Sequence, residues 1–313
     1  MRNEICRTGI GDPDAASPAG TPADPGQSVS SILRHMEAVQ REMETLRAEL
    51  TQLRRRDETL NFHLARIDEE LRLAARLQQD FLPKELPEIG RVRFHTLYRP
   101  AGYVSGDLYD VMRLDEKRVG FYMADAVGHG VPAALLTMFI KQALITKEIT
   151  PGGYRLLPPA ESLARLNQTL VDQNLAHATF ATALYGVIDV ETCQVTVARA
   201  GHPAPMVLRN GGRDIEPLQP EGGLLGVFPG ETYDTATTRL APGDRLLIYT
   251  DGIELAFGKE AIDAERWQFE LRARAALSSE HLLLDLCQHL DGQSGSLTPR
   301  DDVTAVLVDV IDV

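Results

Sequence analysis

From Ile32 onward, apolar residues recur at alternating spacings of four and three: Ile32, Met36, Val39, Met43, Leu46, Leu50 and Leu53, then Leu60, Leu64, Ile67 and Leu71. A stripe so narrow and so long is the seam of a coiled coil, not the face of a globular helix. With Met36, Met43, Leu50, Leu64 and Leu71 at a, the d positions hold Ile32, Val39, Leu46, Leu53, Leu60 and Ile67. In a parallel pair each g residue faces the e residue five positions on in the partner. Three of the five central pairs are then complementary: Glu42 with Arg47, Glu49 with Arg54 and His63 with Asp68. The register therefore predicts a parallel homodimer through residues 28–82. Asp57 falls at an a position beside Arg54, Arg55 and Arg56, so the seam weakens there. It is either a local defect neutralised by the arginines or a break that admits a partner. The competing reading is a lone amphipathic helix, but ~50 residues at ~1.5 Å each would run ~75 Å and overhang a domain of this size.

Residues 1–27 contain four prolines and four glycines and few large apolar side chains, which predicts a disordered tail. Pro83 and Pro87 end the helical pattern, and a globular domain over 83–313 is expected to begin there. The full chain of 313 residues carries 32 Lys plus Arg against 45 Asp plus Glu, a net charge of −13. A field of that sign disfavours nucleic acid and anionic membranes as partners. The longest apolar stretch, near 133–145, is interrupted by Lys141 and Gln142 and is too short to span a bilayer. Cys6, Cys193 and Cys287 form no regular framework, and the N-terminus has no apolar leader. A cytoplasmic, reduced protein is the expectation.

Strand-like runs are predicted at 92–98, 118–124, 180–190, 194–200, 205–208, 233–240, 245–250 and 303–310. Helical patterns occupy 131–149, 160–174, 264–277 and 280–290. Meandering strands with helices grouped between them point to an α+β fold in which helices cover antiparallel sheets.

Four acidic clusters stand at the ends of these strands: Asp107 with Asp110, Asp125 in Asp125-Ala126-Val127-Gly128-His129-Gly130, Asp251 in Thr250-Asp251-Gly252, and Asp301 with Asp302. Taken singly, each also reads as a turn or a solvated strand end. Taken together, carboxylates on rigid sheet ends demand a counter-charge, because gathering them without one raises their pKa values. With oxygen ligands alone and no Cys or His cluster at metal spacing, Mg²⁺ or Mn²⁺ suits the set better than Zn²⁺. The sequence holds no Gly-x-Ser-x-Gly, Walker loop or Cys-x5-Arg, so no covalent nucleophile is announced.

The order of blocks resembles the metal-dependent PPM-type (protein phosphatase 2C-like) phosphatases, in particular the bacterial branch of stage II sporulation protein E and the sigma-B regulator phosphatases. The blocks are Val104-Ser105-Gly106-Asp107-Leu108-Tyr109-Asp110, Met123 to Gly130, Phe180-Ala181-Thr182-Ala183, Ala200-Gly201-His202-Pro203, Gly222 to Gly226, Tyr249 to Ile253 and Asp301 to Thr304. The stretch 74–83, Ala-Ala-Arg-Leu-Gln-Gln-Asp-Phe-Leu-Pro, looks like that branch's leading helix. The resemblance implies a four-layer α-β-β-α sandwich of two antiparallel sheets behind the long coiled-coil helix. It also implies two Mn²⁺ or Mg²⁺ ions: Asp125 bridging them, Ala126 contributing its carbonyl, Asp107 holding one ion, and Asp251 with Asp301 the other. A serine/threonine protein phosphatase follows, acting through a metal-activated water. Its substrate in that branch is a phosphoserine on a STAS-type anti-anti-sigma factor.

Where eukaryotic members carry a His two residues after the bridging Asp, this chain has Val127, which leaves the general acid unassigned. His129 is a candidate substitute or a turn residue, and His202 is expected to be structural. Asp110 and Asp302 adjoin predicted ligands and are expected to hydrogen-bond to metal waters. The seam ends close to Asp107, so an upstream regulatory protein on the coil could act on the site. Two other classes compete: a catalytically inactive coiled-coil scaffold of the same fold, which predicts a degraded acidic set, and a histidine-kinase-type ATPase, whose Asp-x-Gly-x-Gly is absent here.

Overall fold

A computed structural model describes residues 25–175, 179–257, 264–292 and 301–311. Residues 1–24, most of the expected tail, lie outside them. The chain divides into two units, Met1–Arg66 and Ile67–Val313. The first, as far as it is described, is helical from Pro25 within the element α1, Pro25–Phe81. Every residue over 30–66 is exposed, and the apolar seam residues are 44 to 62% exposed in the single chain. Among the described residues no helix is long and apolar enough to cross a membrane.

The second unit begins within α1 at Ile67 and continues through β1 (Val92–Arg99), β2 (Asp107–Arg113), β3 (Arg118–Ala126), α2 (Val131–Ala143), a hairpin of β4 (Lys147–Thr150) and β5 (Gly153–Leu156), and α3 (Pro159–Asp172). There follow β6 (Ala181–Asp189), β7 (Gln194–Ala200), β8 (Met206–Arg209), β9 (Asp214–Pro217), β10 (Thr235–Arg239) and β11 (Arg245–Tyr249). The helices α4 (Asp251–Phe257), α5 (Ala264–Arg274) and α6 (Ser279–Asp291) precede the closing strand β12 (Val303–Val310). Two antiparallel five-stranded sheets result, in the orders β1-β12-β11-β8-β9 and β10-β7-β6-β3-β2.

Strand alternation dictates the layers, because successive side chains point to opposite faces. In β12, Val306, Val308 and Val310 enter a core between the sheets with Val111, Phe121, Met123, Ile188 and Val197. The intervening Ala305 and Leu307 face α4, α5 and α6 around the fully buried Trp267. In β3, Tyr122 and Ala124 point the other way, toward Leu136 and Ile140 of α2 and Leu163 and Leu166 of α3. The expected α+β sandwich of four layers, α-β-β-α, is the observed architecture.

Three local expectations change. The helical pattern over 131–149 ends at Ala143, and its tail with the following Pro151-Gly152-Gly153 becomes the β4–β5 hairpin. Residues 107–113 form a strand that is absent from the predicted runs, and Asp251 opens a helix instead of a turn.

Candidate metal centre

β2 opens on Asp107 and β3 closes on Asp125 and Ala126, and the antiparallel register sets Asp107 directly opposite Asp125. On its other side Asp125 pairs with Thr182 of β6. Asp107 is 1% exposed, and its Oδ2 accepts hydrogen bonds from the hydroxyls of Thr250 at 2.8 Å and Thr304 at 2.6 Å. Those threonines belong to the other sheet, at the end of β11 and the start of β12. Thr250 N–H donates to Thr304 O, and Thr304 N–H to Thr250 Oγ1, both at 3.0 Å. One buried carboxylate therefore ties the two sheets together at this end.

The same threonine pair places the remaining carboxylates. Asp251 follows Thr250 as the first residue of α4, and Asp301 and Asp302 precede β12. Asp302 engages both oxygens with backbone amides, Oδ1 with Ala101 N–H and Oδ2 with Gly106 N–H, each at 2.6 Å. It is a clamp on the loop that leads into Asp107. Asp110 is likewise engaged elsewhere, in a 2.6 Å ion pair with Lys141 of α2.

The electrostatics of the set are those of like charges held out of water. Burial, and then the neighbouring Asp125, push Asp107 well above the usual carboxylate range, against the two threonine hydrogen bonds. Burial followed by Asp251, Asp301 and Asp302 pushes Asp125 up to about 8. Asp251 and Asp301 are also raised, chiefly by burial; backbone amides at the start of α4 oppose the shift at Asp251, and the Asp302 amide does so at Asp301. All the charges that act on Asp125 are negative. Among the described residues no three His, Cys, Asp or Glu side chains form a ready-made metal cage. The carboxylates are gathered at one end of the sandwich without being closed into a ligand shell, as expected of anions that repel across a low-dielectric gap. Oxygen-only, buried and short of positive charge, the donor set fits a hard divalent cation of the Mg²⁺ or Mn²⁺ kind.

A cavity of about 440 Å³ borders this set, lined by Leu71 of α1, residues 101–104, residues 128–131, Asp301 and Asp302. His129 stands on its wall between Gly128 (φ 89°) and Gly130 (φ 75°), whose left-handed backbone explains both glycines. Val127 is 43% exposed. Gly106 packs on the Ala126 carbonyl, where an added Cβ would sit 3.2 Å from that oxygen and 3.3 Å from Ala133. His202 is fully buried, with Nδ1 2.7 Å from Thr182 Oγ1; burial holds its pKa down at about 3, so it is a neutral structural residue.

Three residues with clear roles at this end carried no signal of their own. Thr250 and Thr304 lay inside recognised blocks, but their shared acceptor stands 143 and 197 positions away. Gln78, in the helix ahead of Pro83, bonds to the backbone of Ser105.

A family model described as stage II sporulation protein E matches residues 115–311, a span that includes Asp125, Asp251 and Asp301. Protein IcfG of Synechocystis sp. is 26% identical over 265 residues, which cover 76% of this chain and 41% of IcfG. Phosphoserine phosphatase RsbU of Bacillus subtilis is 28% identical over 187 residues, 60% of this chain and 54% of RsbU. The chain thus spans about half the length of the curated relatives it matches. Among solved structures, the SiaA-PP2C domain of Pseudomonas aeruginosa aligns with a TM-score of 0.66 at 24% identity, over 80% of this chain and 98% of that one.

Proposed function

We propose, because this chain belongs to the stage II sporulation protein E family, that it is a metal-dependent serine/threonine protein phosphatase. The observation that carries the reading is the juxtaposition of Asp107 and Asp125 across β2–β3 with a threonine pair from the opposite sheet that brings in Asp251 and Asp301. Asp125, with the Ala126 carbonyl as a further ligand, would be shared by two Mn²⁺ or Mg²⁺ ions, of which Asp107 would hold one and Asp251 with Asp301 the other. Bound there, such ions supply an acidified water and neutralise the charge that gathers on a phosphoryl group in flight. The protein's part is to hold the carboxylates rigid. Asp107 is fixed by two hydroxyls, and Asp302 fixes the loop before it.

The cavity beside Asp301 is open to a phosphorylated loop of a protein, and phosphoserine as the target is supported by the name of the relative RsbU. We assign as substrate class a STAS-type anti-anti-sigma protein in the cytoplasm. Phosphate release from such a phosphoprotein is expected with Mn²⁺ and is expected to vanish in excess chelator. Equal release in both conditions sinks the reading.

A parallel homodimer through the α1 seam is part of the proposal, because a face with Leu46 at 56% and Leu53 at 62% exposure is costly to leave in water. A regulatory protein that binds the coil would then act on both active sites. Leu46→Lys with Leu53→Lys is expected to convert the dimer to a monomer in sedimentation analysis; a wild-type chain that sediments as a monomer removes this part.

A further inference from the structure

Asp125 is the last residue but one of β3, and the strand end that carries it is held by a neighbour on each side. On the β2 side Ala126 N–H donates to Gly106 O at 3.0 Å, and on the β6 side Val127 N–H donates to Phe180 O at 3.0 Å. Directly opposite Asp125 on β6 stands Thr182. Opposed residues of an antiparallel pair share a face, and the pair two places inward, Met123 and Leu184, points into the core between the sheets. The Thr182 side chain therefore stands beside the Asp125 carboxylate, on the face that carries the acidic set.

Its hydroxyl is engaged elsewhere. Thr182 Oγ1 lies 2.7 Å from Nδ1 of His202, a completely buried ring shortly after the end of β7. The backbone there is fixed: Arg199 Nη1 donates to His202 O at 2.9 Å, Gly201 N–H donates to Gly222 O at 3.0 Å, and Gly201 bridges to Ala183 of β6. Burial and then the Arg199 charge keep the ring neutral, against the Tyr249 backbone, which favours the protonated form. Among the described residues Nε2 makes no aligned hydrogen bond, so the Thr182 hydroxyl orients the ring and the ring in turn fixes the hydroxyl.

The chemistry of the contact narrows the residue type. A neutral imidazole presents Nδ1 either as a donor or as an acceptor, and a hydroxyl can meet both. Valine has the shape of threonine but would leave Nδ1 buried and unpaired. A carboxylate would only accept, and would add another negative group beside Asp125.

We propose that Thr182 is a positioning residue for Asp125: its bond to the fixed, neutral His202 anchors the start of β6, and with it the placement of the Asp125–Ala126 strand end and the affinity of the carboxylate set for divalent cations. The inference rests on the metal-dependent reading above and extends it to a strand that supplies no carboxylate. Loss of a group that orients a metal ligand typically weakens binding by about 10- to 100-fold. Thr182 acts through the strand ladder and not on the carboxylate itself, so the lower end of that range is expected.

The test uses the full chain and Mn²⁺ alone as the probe. Thr182→Val and Thr182→Ala remove the hydroxyl, and Thr182→Ser keeps it. Thr196→Val is the control, the same change farther along the same sheet, where Thr196 pairs with Val187 of β6 and its hydroxyl meets that of Thr237 at 3.1 Å. Calorimetric titration is expected to give a Mn²⁺ dissociation constant raised about 10-fold in Thr182→Val and Thr182→Ala, and near the wild-type value in Thr182→Ser and Thr196→Val. Without metal, hydrogen exchange of the Val127 amide is expected to accelerate in the two hydroxyl-free variants. Wild-type affinity in Thr182→Val, an equal loss in Thr182→Ser or Thr196→Val, or unchanged exchange at Val127 overturns the proposal. Failure of both hydroxyl-free variants to fold overturns it too, because the pair is then a determinant of the fold alone. A wild-type chain that binds no Mn²⁺ overturns the metal reading and this inference with it, whereas wild-type binding that Thr182→Val leaves unaltered overturns this inference alone.

Discussion

Asp125→Asn is expected to lower phosphoserine hydrolysis by about 10²- to 10³-fold or more, the scale on which loss of one preorganised electrostatic group slows an enzyme, and at the same time to make the metal-free protein more stable at pH 8. The two effects have one cause. Asp125 is opposite Asp107, largely buried, and subject only to negative neighbours. Its pKa in the folded chain, about 8, lies above the ordinary 3.8, so the folded state binds this proton more tightly than the unfolded state. For a group with that sign, stability is greatest below pH ~4 and declines as pH rises through about 8, where the folded carboxyl finally ionises. Asparagine has nearly the same shape and no charge. In chelator the variant should show a flatter decline in melting temperature between pH 5 and pH 8, and should exceed wild type at the upper end. With Mn²⁺ the order should reverse, because the ion binds the folded state through the anionic set and so stabilises wild type more. Thermal unfolding at both pH values, with and without Mn²⁺, reads all four quantities. A variant that keeps wild-type activity, or a wild-type protein whose metal-free stability rises across this interval, contradicts the assignment of Asp125 to the centre.

The elements legible in the residues alone are those with a local physical cause. The seam of α1 follows from a heptad period sustained over Ile32 to Leu71, and the β6, β7, β11 and β12 strands from β-branched runs between turn residues. The four acidic blocks stood out because Asp and Gly at strand ends are chemically conspicuous. What escaped was set by distant partners. β2 carries Asp107 and Asp110 in seven residues, too acidic to stand out among the predicted strand runs; it is a strand because β3 offers it a full ladder. The β4–β5 hairpin disappears into a helical pattern because Ile145 and Ile149 sit four apart, though Ile149 ends up 92% exposed across from Tyr154. Thr250, Thr304 and Gln78 have ordinary local surroundings and acquire roles only when two sheets and a helix meet around Asp107 and Ser105. Asp302 too has a role set by distant partners: its oxygens hold the loop at Ala101 and Gly106, about 200 positions away in the chain.

Gly252→Ala reverses the usual sign of a helix substitution. Inside a helix, Gly to Ala ordinarily stabilises by about 1 kcal/mol. Gly252 is the second residue of α4, but a Cβ there would lie 1.9 Å from the Asp302 carbonyl oxygen and 2.9 Å from its carbon. Both obstacles are backbone, so no rotamer change relieves the overlap; α4 must withdraw from the start of β12. That junction is where Asp251, Thr250, Asp302 and Thr304 meet, with Thr250 and Thr304 bonded to each other and both to Asp107. Displacement by an ångström or so separates Asp251 from Asp301 and loosens the clamp on Asp107, and misplacement on that scale suffices to cost about 10²-fold in rate. The expected outcome is a destabilisation of about 1–3 kcal/mol, the range for an overpacked interior, together with that loss of Mn²⁺-dependent phosphate release. Gly152→Ala is the control, because its Cβ meets nothing within 4 Å and its φ lies outside the left-handed region; it should be neutral or slightly stabilising and fully active. Urea unfolding midpoints and phosphate release for the two variants decide the matter. If Gly252→Ala behaves as Gly152→Ala does in both, close approach of α4 to β12 is not what sets the spacing of Asp251 and Asp301.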